Sequence, residues 1–201
     1  MLDADRAGFP EITNMYMGYS DSPPEGWTIT YPVLPGNYYF HFLRYDPSVV
    51  YTITPSLVIS NFGQDNEPNH VAADAQVFSS NGTVGGTLRY YRPNDGSDVT
   101  DWFKMVVPQG AILNIKIQKK GPGNTWIRMR DAELPGLPEI SSYYTGYSDS
   151  PAGGWIWSFP MLAGTYYFQV SEGENWLDYQ LEATLVPPVY TEDMEPNNTY
   201  T

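Results

Sequence analysis

The chain has 201 residues, no cysteine and a formal net charge of −13, with 10 basic against 23 acidic side chains. The lack of cysteine excludes disulfides, zinc-thiolate sites and thiol catalysis. The charge argues against binding to nucleic acid or to an anionic membrane, because either needs a basic patch that displaces counterions. No apolar run approaches the roughly 18 residues of a membrane span, so we expect no membrane insertion in this segment.

The composition favours short strands joined by many turns, since it holds 18 Gly, 18 Pro and 17 Tyr. Turn signals such as Asn81-Gly82 and Pro135-Gly136 recur along the chain, and alternating stretches lie between them. Residues 112–119, for example, place Leu113, Ile115 and Ile117 on one side and polar residues on the other. The pattern predicts about eight antiparallel strands and no helix. The predicted fold is therefore all-β, a two-layer sandwich of jelly-roll type.

An internal repeat sets the register of the chain. The pentapeptide at Asp65–Asn69 returns at Asp193–Asn197 with the same Asp-x-Glu-Pro-Asn pattern. The same shift aligns Gly18–Pro23 on Gly146–Pro151, needs no gap and leaves about four in ten overlapping positions identical. Self-similarity at a fixed spacing is the signature of a repeat architecture, so the sequence predicts tandem sandwich units with a repeat length of about 128 residues.

The repeat divides the chain into three parts. Residues 1–60 correspond to the C-terminal half of one unit, residues 61–188 to a complete unit, and residues 189–201 to the start of a third or to a donor or linker strand. We expect either that the chain is a segment of a longer protein or that its front half is completed by another chain. Half a sandwich would otherwise expose an apolar face and unpaired strand edges. A longer parent chain is the favoured account, with strand exchange between subunits as the alternative.

The repeated pentapeptide presents oxygen-bearing side chains at positions i, i+2 and i+4. In a regular strand Asp65 and Asn69 would lie about 13 Å apart, too far to share an ion, so the segment must bend, as Pro68 allows. Converging carboxylates repel each other unless a divalent cation lies among them, and calcium takes six to eight oxygen ligands. The alternative is a solvated linker whose side chains cap turn amides.

Four segments in this order resemble the bacterial pre-peptidase C-terminal domain, which is also found as the collagen-binding module of clostridial collagenases. They are Asp65–Asn69, Asp98–Phe103, Val107–Gly110 followed by Leu113-Asn114-Ile115, and Leu162–Phe168. The resemblance covers the whole unit. It implies a jelly-roll β-sandwich that serves as an accessory or stalk on secreted proteins and that binds calcium in several members.

The resemblance also implies the calcium ligands. In the complete unit they are an acidic N-terminal segment and an Asp-x-x-Asp before a strand, namely Asp65, Glu67, Asn69, Asp98 and Asp101; the second copy supplies Asp193, Glu195 and Asn197. The family often has Asp or Asn at the next position, where this chain has His70 and Asn198. His70 suits a hard, oxygen-seeking ion poorly, which leaves one ligand place in the first copy to water or to Asp95.

Two further groups of residues invite a binding or modification role. Asn81 and Asn197 each begin a glycosylation sequon, and an occupied Asn197 could not also ligate calcium through its amide. Several aromatic residues could form a platform for sugars, although alternate members of a sandwich strand must face the core. They are Tyr143, Tyr144, Trp155, Trp157 and Trp176.

Catalysis finds little support in the sequence. His41 and His70 are replaced by Gln169 and Asn198 one repeat later, and no nucleophile elbow, phosphate loop or zinc helix motif is present. We expect a non-catalytic, extracellular or cell-surface structural protein, a calcium-stiffened stalk, fibre or filament whose partners are copies of itself. The alternative is an accessory module that docks a secreted enzyme on collagen or a polysaccharide.

Overall fold

A computed structural model describes residues 1–3, 15, 23, 26–30, 33, 37–42, 50–57, 62, 68–89, 91–92, 96–97, 99–172 and 175–187. In this part of the chain the secondary structure is almost entirely β, with a single 3-10 turn at Ala72–Asp74. No helix here is long or apolar enough to cross a bilayer. The all-β prediction is confirmed.

Eight strands of six or more residues form the body of the fold, as the turn spacing predicts, and five two-residue strands accompany them. In chain order the strands are β1 (Leu2–Asp3), β2 (Tyr38–Tyr39), β3 (Gln76–Val77), β4 (Thr83–Leu88), β5 (Tyr91–Arg92), β6 (Gly96–Ser97), β7 (Thr100–Val107), β8 (Ala111–Lys120), β9 (Thr125–Asp131), β10 (Glu139–Tyr144), β11 (Trp155–Met161), β12 (Gly164–Glu172) and β13 (Leu177–Val186).

The strands from β3 to β13 build two layers. One sheet has five strands in the order β10-β9-β12-β7-β3, and the other has four in the order β11-β8-β13-β4. All pairings within these layers are antiparallel except that of β3 with β7, where Gln76 lies opposite Phe103. Along the chain the strands alternate between the two sheets, except that β9 and β10 follow each other in the five-stranded one. Most connections therefore cross from one layer to the other. The fold is the predicted β-sandwich.

The core lies between the two layers and is filled by alternate residues of each long strand. On β8 the side chains of Leu113, Ile115 and Ile117 are buried, as the alternation predicts. Phe78 packs edge-on against Phe103 and Phe168, with ring centroids 6.2 and 5.8 Å away. Such edge-to-face pairs are a preferred aromatic geometry. The core thus joins β7 and β12 to the segment that precedes β4.

A buried lysine occupies an inward position of β8 where the alternation predicts an apolar residue. Lys119 follows Leu113, Ile115 and Ile117 on the core side of β8, and its side chain is fully buried. Its Nζ donates to the carbonyl oxygens of Gly121 and Gly123 at 3.0 and 2.5 Å. Burial lowers the pKa of Lys119, and the nearby Asp149 carboxylate partly offsets that effect. The ammonium group therefore stabilises the turn after β8 by hydrogen bonds from the core side.

Strands β1 and β2 in the front part of the chain form a short antiparallel pair. Leu2 lies opposite Tyr39, and Asp3 lies opposite Tyr38. In the same region the rings of Phe42 and Tyr51 stack with centroids 4.6 Å apart. Several large apolar side chains here are exposed to solvent, including Phe40 at 52% and Tyr51 at 53%.

Candidate metal centre and aromatic face

Two of the predicted calcium ligands, Asn69 and Asp101, meet at the start of β7. The backbone N–H of Trp102, the residue after Asp101, donates to the carbonyl oxygen of Asn69 at 2.8 Å. Both side chains are completely buried. The segment that follows Pro68 therefore lies against the first residues of β7, so the backbone at Asn69 is next to that at Asp101 although the two residues are far apart in the sequence.

The carboxylate of Asp101 points into the sandwich, where Oδ2 accepts a hydrogen bond from the hydroxyl of Tyr179. Tyr179 comes from β13 in the opposite sheet, and its ring packs edge-on against Phe103 at 6.3 Å. A buried carboxylate is costly unless it is hydrogen-bonded or bound to a cation. The phenol meets part of that need and fixes the orientation of the carboxylate.

The donors at this place suit calcium in kind, since carboxylate and amide oxygens are the ligands that calcium prefers. The other predicted ligands, Asp65, Glu67, Asp98, Asp193, Glu195 and Asn197, lie outside the described residues. Among the residues that the structure does describe, no group of three or more His, Cys, Asp or Glu side chains converges on a possible metal position. The calcium site, including Asn69 and Asp101 as ligands, stays a prediction.

The sequon residue Asn81 lies at the turn before β4 and is exposed. Its Oδ1 accepts a hydrogen bond from the backbone N–H of Leu185 at 3.0 Å. This bond uses only the amide oxygen, and a glycan would be attached at Nδ2, so the observed contact is compatible with glycosylation. Occupancy stays a prediction, and the second sequon, at Asn197, lies outside the described residues.

The outer face of the five-stranded sheet carries an aromatic and cationic cluster that the sequence analysis missed. It consists of the outward side chains Trp102, Lys104, Trp126, Arg128, Arg130, Tyr144, Tyr167 and Gln169, which we call the Trp–Arg face. Register places Trp102, Gln169 and Arg128 in one row across β7, β12 and β9, and Lys104, Tyr167 and Arg130 in the next. One signal in the sequence could have revealed this face: the period-two alternation on β9, which places Trp126, Arg128 and Arg130 on the outward side.

Within the Trp–Arg face, each arginine lies over a tryptophan. Arg130 is 5.7 Å from the ring centroid of Trp102, and Arg128 is 5.4 Å from that of Trp126. Tyr167 packs edge-on to Trp102 at 6.0 Å, and Tyr144 lies against Trp126 at 4.9 Å. Cation–π and aromatic pairs of this kind hold the side chains flat on the sheet.

The aromatic residues considered for a sugar platform divide between the core and the surface. Tyr143, Trp155 and Trp157 are partly buried and pack against the core. Trp176 closes over the turn at Gly121, where an added Cβ would meet its ring at 2.9 Å. Tyr144 alone of the five joins the Trp–Arg face, and Asn124 Nδ2 donates to its hydroxyl at 2.9 Å. Three of the five therefore face the core, in keeping with the alternation expected of a sandwich strand.

The chain matches no known family model, and no curated protein matches it in sequence. Among solved structures it is similar to the pre-peptidase C-terminal domain of a collagenase from Bacillus anthracis, with 19% identity and a TM-score of 0.42 over 59% of this chain and 99% of that domain. The family predicted from the sequence motifs is thus among the structures that this chain is similar to.

Two further solved structures are similar over most of their own length. One is PliG from Aeromonas hydrophila, a periplasmic inhibitor of g-type lysozyme, with 15% identity and a TM-score of 0.35 over 55% of this chain and 98% of that one. The other is CsCBM6-3 from Clostridium stercorarium, in complex with cellobiose, with 12% identity and a TM-score of 0.33 over 57% and 98%. All three TM-scores lie below 0.5, so nothing about ligands or assembly follows from them for this chain.

Proposed function

We propose that the chain is a non-catalytic structural array of β-sandwich units from an extracellular or cell-surface protein. One observation carries the proposal: β1 and β2 pair in the register that β9 and β12 have in the complete sandwich. Leu2 opposite Tyr39 becomes Arg130 opposite Tyr167 after a shift of one repeat length, and Asp3 opposite Tyr38 becomes Asp131 opposite Tyr166. Two copies that pair alike support a repeat at the level of structure.

Exposed apolar side chains in the front part support association with copies of itself. Phe40 is 52% exposed, whereas Phe168, its counterpart one repeat later, is fully buried. Tyr51 is 53% exposed, whereas Tyr179 is fully buried against the Asp101 carboxylate. Exposed apolar side chains of this kind favour association with other copies, and so assembly into a stalk, fibre or filament.

Calcium is the second part of the proposal, with Asn69 and Asp101 as ligands together with Asp65, Glu67 and Asp98. The buried carboxylate of Asp101 beside Asn69 supports it, because a cation there would offset the cost of burying that charge. A bound divalent ion would also reduce the repulsion between units of a chain with net charge −13. The pentapeptide would then join consecutive units, and the second copy, Asp193, Glu195 and Asn197, would do the same for the next.

Assembly of the full chain tests the array. We expect electron microscopy and analytical ultracentrifugation to show association that grows with protein concentration, and we expect Phe40→Asp to weaken it. Leu162→Asp is the matched control, because it makes a similar apolar-to-acid change at a position that is 79% exposed on the complete unit. Dispersed single particles at high concentration, or equal weakening by the control, would count against the array.

Chelation tests the metal separately. We expect added calcium to raise the melting temperature of the full chain and a chelator to lower it, because a ligand that binds only the folded state stabilises it. Asp101→Asn keeps an acceptor for Tyr179 but removes the charge, so it should abolish the calcium-dependent shift. Asp178→Asn, on the four-stranded sheet, should keep it. An unchanged melting temperature in chelator would refute the site.

A binding module for an extracellular polymer, attached to a secreted enzyme, is the second candidate function. The Trp–Arg face favours it, because exposed aromatic rings beside arginines are common recognition groups. This role does not require that the chain form an array.

A further inference from the structure

We propose that the Trp–Arg face binds a carboxylate-bearing polysaccharide. The inference rests on the second candidate function, the binding module, and is independent of the array and of calcium. It starts from the order of the surface: the middle strands β7, β12 and β9 present their outward side chains in parallel rows, with Trp102, Gln169 and Arg128 in one row. Rows of side chains that run across several strands suit an extended polymer better than a small molecule, which needs a concave pocket.

The two guanidinium groups are fixed before any ligand arrives. Arg130 donates from Nε to Gln169 Oε1 at 3.0 Å and from Nη1 to the carbonyl oxygen of Leu137 at 3.1 Å. Arg128 donates from Nη1 to Ser171 Oγ, and its Nε lies 3.4 Å from Glu139 Oε2. None of these contacts uses Nη2, so among the described residues each arginine has a nitrogen that could donate to a ligand. A donor already held in place loses less conformational entropy when it binds.

The spacing of the arginines suits a repeating ligand. Arg128 and Arg130 are two residues apart on β9, which puts them on the same side of the strand and about 7 Å from each other along it. Each lies over its own tryptophan, so the face repeats one motif twice: an indole ring and a guanidinium group. A chain molecule with acidic groups at intervals could meet both.

Charge complementarity selects an anionic ligand. The Trp–Arg face contains three cations, Lys104, Arg128 and Arg130, and no carboxylate, while Glu139 lies beside it, 3.4 Å from Arg128. The whole chain, by contrast, has only 10 basic residues and a net charge of −13. A locally positive area on an acidic protein attracts a moderately charged polymer, while the overall charge repels a dense polyanion such as nucleic acid.

The exposed aromatic rings of the face favour a saccharide as the ligand. Trp126 and Tyr144 are 39% and 41% exposed, so the part of each ring that faces solvent offers an apolar surface to a saccharide. An arginine guanidinium matches the planar geometry of a carboxylate and binds it through two hydrogen bonds. Rings for stacking and arginines for carboxylates together describe a uronic-acid polymer. Gln169, between the two arginines, offers an amide for hydroxyl groups.

Affinity measurements on the full chain test the proposal, with polygalacturonate as the probe and calorimetry or affinity electrophoresis as the readout. We expect binding that weakens with added salt. Trp126→Ala and the pair Arg128→Ala with Arg130→Ala should each reduce affinity at least about tenfold, the loss expected from one charge-assisted hydrogen bond or stacking contact. Arg130→Lys keeps the positive charge but loses the paired N–H groups of the guanidinium, so we expect this variant to bind the polymer less tightly than the parent.

Lys116→Ala is the matched control, because it removes one positive charge from the outer face of the four-stranded sheet. Near-ultraviolet circular dichroism shows whether each variant is folded. The proposal is overturned by absence of binding, by equal loss in Lys116→Ala, by equal affinity for a neutral polymer such as dextran, or by tighter binding to single-stranded DNA. Because none of these readouts depends on assembly or on calcium, failure here leaves the array proposal standing, and failure of the array leaves this one standing.

Discussion

The two outer faces of the sandwich share one core but differ in chemistry. The face of the four-stranded sheet pairs its polar groups within itself: Lys116 lies 3.3 Å from Glu182, Thr87 donates to Asp178 at 2.6 Å, and Ser158 donates to Asn114 at 2.6 Å. The face of the five-stranded sheet instead gathers aromatic rings and arginines. The outer face of a sheet needs only polar side chains to be stable in water. The aromatic rings and arginines on the five-stranded sheet are therefore not required by the fold.

The largest expected effect concerns the core that both faces share. Phe168→Ala removes a fully buried ring between the sheets and should destabilise the protein by about 3–5 kcal/mol. Gln169→Ala, one residue along β12 on the Trp–Arg face, should cost much less, about 1 kcal/mol, because it loses only the hydrogen bond with Arg130. Denaturant unfolding of both variants measures the difference. Similar losses would mean that the outer face is as important to stability as the core.

The second prediction concerns the hydrogen bond that crosses between the layers. Tyr179→Phe removes the donor to the Asp101 carboxylate and should cost about 1.5–3 kcal/mol, the range for a hydrogen bond to a charged group. Unfolding at neutral pH measures this loss. In the double-mutant cycle with Asp101→Ala, which removes the acceptor, the loss in the double variant should be smaller than the sum of the two single losses, because both substitutions remove the same contact. Strict additivity would show that the two side chains are not coupled.

A third prediction compares the two faces directly. Trp102→Ala removes the edge contact with Tyr167 and the stack with Arg130, and it should cost about 1 kcal/mol beyond the loss of buried area. Lys116→Ala on the opposite face should cost at most about 0.5 kcal/mol, because its ion pair with Glu182 is exposed to solvent. Thermal unfolding in low and high salt distinguishes them. Equal costs would remove the distinction between the faces.

The smallest expected effect is a change in alkaline pH dependence. Burial raises the pKa of Tyr166 above its ordinary value of 10.0, and the carboxylates of Asp131 and Glu133 add to this shift. The folded state therefore keeps the phenol proton at pH values where the unfolded state releases it, and the stability contributed below pH 10 is lost as pH rises through the raised pKa.

Tyr166→Phe should make the fall in melting temperature above pH 10 shallower. The phenylalanine variant also loses the hydrogen bond from the Tyr166 hydroxyl to the carbonyl oxygen of Leu162, which lowers its melting temperature at every pH below 10. The test is therefore the slope of melting temperature against pH, and not the melting temperature itself. Lys119 acts in the opposite direction, because its lowered pKa makes stability increase as pH rises toward 10.5. An unchanged slope would show that Tyr166 does not titrate differently in the two states.

Local alternation predicted most of the fold. The inward series Leu113, Ile115 and Ile117 and the turn at Asn81-Gly82 each follow from rules that act over a few residues. The inward position of Lys119 did not follow, because the carbonyl groups that bind its ammonium come from the next turn and are invisible to a period-two rule. The parallel pairing of β3 with β7 was likewise hidden, since a two-residue strand has no period of its own.

The candidate sites show the same division. Asn69 and Asp101 were named as calcium ligands from the family resemblance, and they are the only members of the predicted set that the structure describes, so that site stays a prediction. The Trp–Arg face was missed because its members come from several strands, and only the register of β7, β12 and β9 brings Trp102, Gln169 and Arg128 into one row. A pattern along one strand cannot reveal a surface that runs across strands.

Pro160 in β11 bears on how such units can meet one another. Strand β11 is at the edge of its sheet, where β8 alone of the described strands pairs with it, and Pro160 has no N–H to offer a further strand. Pro32 stands one repeat length earlier, at the matching place in the first copy. Sideways growth of the sheet at this edge is therefore disfavoured, and we expect neighbouring molecules to join elsewhere.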